Sequence, residues 1–185
     1  SRLSFMFATT ETQSVFHALM DRLTRVDLEE YSLDEMGKIV QLHLDVKIEP
    51  DTLIEIASVL RGNARDGMKM ALNITNLCSQ RKIKTFGAKE WATLRHKLGI
   101  VPLGLNPSEI QVLRVLGNSK DCSLTNIAAK TGISKQAVQR DFEIYLQKHS
   151  LMEITTAGRN ITAKGLDYLK LLDGNDYSSP SEINA

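Results

Sequence analysis

The sequence predicts a mainly α-helical chain: the end of an α/β layer first, four short helices next, and a helix-turn-helix with a two-stranded appendage last. Three observations carry this. The opening run "LSFMFATT" is apolar and ends in two threonines, the pattern of a strand buried on both faces. Between residues 31 and 103, apolar residues recur at helical spacing in four blocks bounded by capping residues or glycine. After residue 104, "SLTNIAAKTGISKQAVQRDFEIYLQKHS" puts small residues where helices cross and a glycine in their connection.

Taken in order, "SVFHALMDRLTRV" follows the first strand with Val15, Phe16, Leu19, Met20 and Leu23 at helical spacing, and "RVDLEEYS" leads out through a second strand-like piece. Ser32 and Glu35 form a capping box, in which the serine satisfies free amides and the glutamate reaches back. Met36, Ile39, Val40, His43 and Leu44 then share one face. Pro50 suits the first position of the next helix, whose inner face holds Leu53, Ile54, Ala57 and Leu60. Gly62 stops it.

A third helix is predicted from about Ala64 to Ser79, then a basic connector, then a fourth helix ending at Gly99. Some seventy residues bury little core unaided, so this unit should lean on a neighbour. Asn106, Pro107 and Glu109 open the last unit as cap, first turn and cap partner. Ile110, Leu113 and Leu116 line its first helix, Ile127-Ala128-Ala129 its second, and Ser134 caps a longer third. Two strand-like pieces around Ala157-Gly158 precede a last helix with Leu166, Leu169 and Leu172. Three helices plus a β-hairpin make a winged helix. The predicted units are residues 1–30, 31–103 and 104–172, with 173–185 a polar, disordered tail.

Composition narrows the function without naming it. The chain of 185 residues is 42% apolar and 24% charged, with a net charge of +1. Residues 31–103 carry eleven bases against eight acids, and 104–172 nine against six, while both ends are acidic. Two mildly basic blocks permit a phosphate partner without demanding one. Cys78 and Cys122 stand alone and read as reduced thiols of a cytoplasmic protein, and the four histidines lack the spacing of a metal site. No apolar run reaches membrane-spanning length and no signal segment is visible. The phosphate-cradling motif GxxxxGK[ST] is absent, as are a strand ending in Asp-Glu and any local Ser/His/Asp or Cys/His signature.

One residue sits oddly. In "RGNARDGMKMALNI", Arg65 falls in the first turn of a helix, beside the positive end of the helix dipole, where a cation is unwelcome. The residues alone leave open whether it merely pairs with Asp66.

The segments "FMFATTETQSVFHALMDRLTRVDLEEYS", "RGNARDGMKMALNI", "LGLNPSEIQVLRVL" and "LMEITTAGRNITAKGLDYL" resemble, in unbroken order over residues 3–172, the C-terminal part of RuvB. RuvB is the AAA+ motor family that drives branch migration of Holliday junctions. The resemblance implies the end of an AAA+ core, a four-helix lid and a winged-helix DNA-binding domain. The apolar, non-methionine start leads to the expectation of a fragment whose nucleotide-binding loop lies upstream, inactive alone.

By this resemblance Arg65 is the sensor-two arginine that reaches the γ-phosphate of ATP. Thr10 takes the sensor-one position, with Thr9 the near alternative. Arg22 is the arginine finger offered to the next subunit's ATP; an ordinary solvated helix-end arginine is the alternative, and Met20 stands where the family usually shows a further arginine. Arg159 matches a wing arginine that touches DNA phosphate, and Ala157 stands where a second is usual. Lys135 and Arg140, after Ser134, would face DNA in the usual helix-turn-helix mode, although Asp141 and Glu143 dilute that face.

The family further implies ATP and magnesium as cofactors, a hexameric ring of identical subunits, a partner protein that targets junctions, and no membrane. Two other readings stay open: a clamp-loader-like AAA+ subunit, and a non-enzymatic winged-helix regulator using residues 31–103 as a dimer or effector module.

Overall fold

The computed structural model describes residues 4–174, which fall into two units, residues 4–30 and those from Tyr31 onward. The strand expected over "LSFMFATT" does not form. Residues 4–9 have no pairing partner among the described residues, and Phe5, Met6 and Phe7 are exposed. A strand satisfies its amides and carbonyls on a neighbouring strand, and none lies in this unit. "RVDLEEYS" likewise stays out of any sheet. The expected helix contracts to a 3₁₀ turn, Thr12–Ser14, and one helical turn, α1 (His17–Met20). On its apolar stripe Phe16 is 76% exposed. Helices of this length depend on packing for stability.

The second unit begins as the sequence predicts. Ser32 caps α2 (Leu33–Leu42), accepting from the Glu35 amide while Glu35 accepts from the Ser32 amide at 2.9 Å. These hydrogen bonds hold the Glu35 carboxyl below its ordinary range. Pro50 opens α3 (Pro50–Val59), and Arg61 and Gly62, both left-handed at φ 56 and 70, turn the chain into α4 (Ala64–Arg81). Then comes α5 (Ala88–Lys97).

One feature of this unit has no periodic signal. The connectors after α2 and α4 pair in parallel as β1 (Lys47–Ile48) and β2 (Thr85–Phe86), burying Ile48 and Phe86. Met36, Ile56, Ile74, Phe86 and Trp91 centre the first hydrophobic core.

A second core starts at Val101. A turn, Pro102–Gly104, leads to α6 (Pro107–Gly117), capped by Asn106 with Glu109 as its partner. Then come α7 (Leu124–Thr131), Gly132 at φ 72, and a helix continuous over 135–148. That helix consists of α8 (Lys135–Ala137), a π-helical turn (Val138–Glu143) and α9 (Ile144–Lys148). β3 (Met152–Ile154) and β4 (Arg159–Ile161) form an antiparallel hairpin, which Cys122 joins through a bridge to Arg159. The last helix, α10 (Ala163–Gly174), runs through two residues assigned from sequence to the tail; the rest of that tail lies outside the described residues. Val112, Leu113, Ile127, Val138 and Leu146, all at 0% exposure, fill this core.

Candidate functional site

Arg65 owes its setting to the residues around it. Asn63 caps α4 by accepting from the Arg65 amide at 3.1 Å, and its side-chain amide donates to Asp66 at 2.8 Å. Asp66 also accepts from Lys69 at 3.1 Å. The carboxylate nearest in sequence to Arg65 is therefore already engaged. Gly67 faces inward, so close that a Cβ there would stand 3.1 Å from the end of Met36, which turns Arg65 outward. Its exposed guanidinium has no hydrogen bond or ion pair among the described residues. An uncommitted fork beside the free amides of a helix start can reach a phosphate from the same side as those amides.

In the first unit, Thr9 and Thr10 separate. The Thr9 hydroxyl accepts from the Glu11 amide at 3.0 Å, a local turn bond, whereas Thr10 is exposed with no such bond. Arg22 lies in the turn after α1, its amide donating to Leu19 at 3.1 Å and its side chain exposed.

The winged helix positions its cations unequally. Ser134 caps α8 by accepting from the Ala137 amide at 3.2 Å, leaving Lys135 exposed in the first turn. Arg140, in the π-helical turn, is exposed as well, as are Gln136 and Gln139. Arg159 is placed otherwise than the sequence suggested. Its Nε donates to Glu143 Oε1 at 2.9 Å and its Nη2 to Oε2 at 3.4 Å, with the Arg159 side chain 18% and that of Glu143 6% exposed. The fork that would meet a phosphate instead closes on a buried carboxylate and ties the wing to the 135–148 helix. Glu143 appears in the sequence as a mere charge on the recognition face; its burial could not be read from spacing, because the π-helical turn shifts the register.

The turn of the wing is built locally. Thr155 accepts from the amides of Ala157 and Gly158, both at 3.3 Å, and Gly158 at φ 155 runs against the Asp121 backbone. Asn160 and Asp121 exchange two hydrogen bonds, at 2.7 and 2.9 Å. Both cysteines are buried, and burial pushes the Cys78 thiol upward, with Glu90 adding to it, so it is a packing residue. Among the described residues no helix is long and apolar enough to cross a membrane.

Residues 102–170 match the RuvB C-terminal winged helix domain. Over 169 residues the chain is 30% identical to the Holliday junction branch migration complex subunit RuvB of Wolbachia sp. subsp. Brugia malayi, a match covering 89% of this chain and 52% of that protein. The subunit of the same name from Thermosipho melanesiensis is 28% identical over 172 residues, covering 88% and 54%. Among solved structures, the Thermotoga maritima RuvB Holliday junction branch migration motor superposes with a TM-score of 0.67 at 22% identity, over 77% of this chain and 50% of that one. At that identity the likeness speaks for the fold. The chain spans about half the length of the curated relatives it matches.

Proposed function

We propose that this chain, which matches the C-terminal part of RuvB, is the lid and DNA-holding arm of an ATP-driven motor that moves the branch point of four-way DNA junctions in recombination and repair. The observation that carries the reading is Arg65: a guanidinium left uncommitted at a helix start, where nothing among the described residues rewards a cation. A phosphate supplies the reason for it. In this reading Arg65 contacts the γ-phosphate, Thr10 orients the attacking water, and Arg22 reaches the nucleotide of the next subunit in a hexameric ring. Such a finger is worth roughly 10³ to 10⁵ in rate in related phosphoryl transfers.

The described residues fit one part of a nucleotide site. They offer cations toward phosphate, but no group of three or more His, Cys, Asp or Glu among them could hold a metal ion. In this reading magnesium and the phosphate-cradling loop, whose motif GxxxxGK[ST] these 185 residues lack, belong to another part of the motor, and the chain alone should not turn over ATP. ATP, when bound, supplies the free energy of the cycle. On the DNA side, Lys135 and Arg140 approach backbone phosphates while Arg159 holds the wing in place. A junction-targeting protein partner and a cytoplasmic setting complete the reading.

The test joins the nucleotide-binding half of a relative to this chain. The chimera should hydrolyse ATP and migrate a four-way junction, and Arg65→Ala should remove turnover while leaving junction binding intact. Undiminished turnover in Arg65→Ala would end the sensor assignment. Tight binding of the chain to one duplex sequence over a junction would favour the regulator instead.

A further inference from the structure

The two cores divide between residues 100 and 101, yet the segment joining them is not a free linker. Leu103 at φ 60 and Gly104 at φ 61 bend it against the end of α3, so closely that a Cβ on Gly104 would stand 2.1 Å from the Val59 carbonyl oxygen. On the other side two tyrosine hydroxyls donate to its carbonyls, Tyr145 to Leu103 and Tyr168 to Pro102, both at 2.7 Å.

Arg61 spans this seam. Its Nη1 donates to both Glu109 oxygens at 3.0 and 3.1 Å, and its guanidinium carbon lies 3.4 Å from the centre of the Tyr145 ring. Glu109 is fully buried at 0% exposure and accepts one further hydrogen bond, from the Asn106 amide at 2.8 Å. A buried carboxylate needs a counter-charge. The counter-charge for the cap of α6 comes from the turn after α3, across the division between the cores.

We infer that Arg61 is a positioning residue that clamps the four-helix unit and the winged helix into one arm, fixing the face of Lys135 relative to the helix of Arg65. The guanidinium makes two directional contacts, its Nη1 shared between both carboxylate oxygens and its plane against the Tyr145 ring, and that ring's hydroxyl in turn grips the linker. Arg61 also occupies a left-handed turn four residues before Arg65, so any tilt of α6 is delivered to the start of α4. This clamp requires neither ATP nor DNA and stands apart from the motor reading.

The full chain tests it by calorimetry, hydrogen exchange and small-angle scattering. Wild type should melt in one transition with slow exchange of the Gly104 amide, which donates to Val101. Arg61→Ala should split the melt in two, raise linker exchange by about tenfold or more, and lengthen the largest particle dimension, with helical circular dichroism kept. Arg61→Lys, which keeps the charge but not the planar face on Tyr145, should fall between. One transition and wild-type linker exchange in Arg61→Ala would overturn the inference. If Arg61→Ala does not fold, Arg61→Lys and Tyr145→Phe decide: raised linker exchange in both supports the clamp, and wild-type exchange in either overturns it.

Discussion

Arg159 of the wing and Glu143 of the long helix face each other as a two-pronged pair, Nε to Oε1 at 2.9 Å and Nη2 to Oε2 at 3.4 Å, both largely shielded from water. Arg159→Ala would leave the carboxylate buried without its partner. The expected loss is about 3 kcal/mol, the lower end for broken buried pairs because Arg159 keeps some solvent contact. Urea unfolding measures it. Glu143→Gln, which can still accept a hydrogen bond, should lose less. Equal, small losses in both would mean the pair is not what fixes the wing.

Arg65→Ala should act in the opposite direction. The side chain has no partner among the described residues and lies at the unfavourable end of the α4 dipole. Its removal should leave the isolated chain as stable or more stable, by roughly 0.3 to 1 kcal/mol. A clear loss of stability would show that Arg65 is structural, and the phosphate assignment would lose its main support.

Binding of duplex or four-way junction DNA should weaken as salt rises, with a log–log slope of about −0.9 for each phosphate neutralised. Lys135→Ala should flatten that slope by about one phosphate's worth and lower affinity on every sequence alike. Arg159→Ala, compared at a temperature where the protein stays folded, should keep the wild-type slope, because its charge is committed to Glu143. A flattened slope in Arg159→Ala, with the fold intact, would return that residue to the DNA contact the sequence suggested.

Stability should fall below neutral pH in part through His149. Burial first, then Lys148, Lys164 and Arg61, hold its imidazole below the ordinary value of 6.5. The unfolded chain therefore binds the proton more readily, and stability drops as pH falls through 6.5 toward the depressed folded value. His149→Gln should lose less melting temperature than wild type between pH 7.5 and about 5. Parallel curves would remove His149 from the acid response.

Much of the helical region was legible because its signals are local. Ser32-Glu35, Asn106-Glu109, Pro50, Gly62 and Ser134 each act within one turn, and each sits where the sequence put it. Features that depend on distant partners were not legible. "LSFMFATT" reads as a strand from composition, but pairing needs a neighbour that residues 4–30 do not contain. The β1–β2 pairing joins residues nearly forty apart and has no alternation to betray it. Of the candidate site residues, Arg65 could be singled out because it violates a local rule. The engagement of Arg159 could not, since it depends on a carboxylate sixteen residues away brought round by a π-helical turn.

That π-helical turn gives the long helix a local tolerance of length. A π turn holds one residue more than the α turn it replaces, so losing one residue between Val138 and Glu143 would restore regular winding and leave the segments on either side facing as before. Lys135 would keep its outward side and Leu146 its place in the core, and only the side chains within the turn would change their facing. A single-codon deletion there would re-aim one turn of this arm's surface and spare the rest, which a deletion in a regular helix could not do.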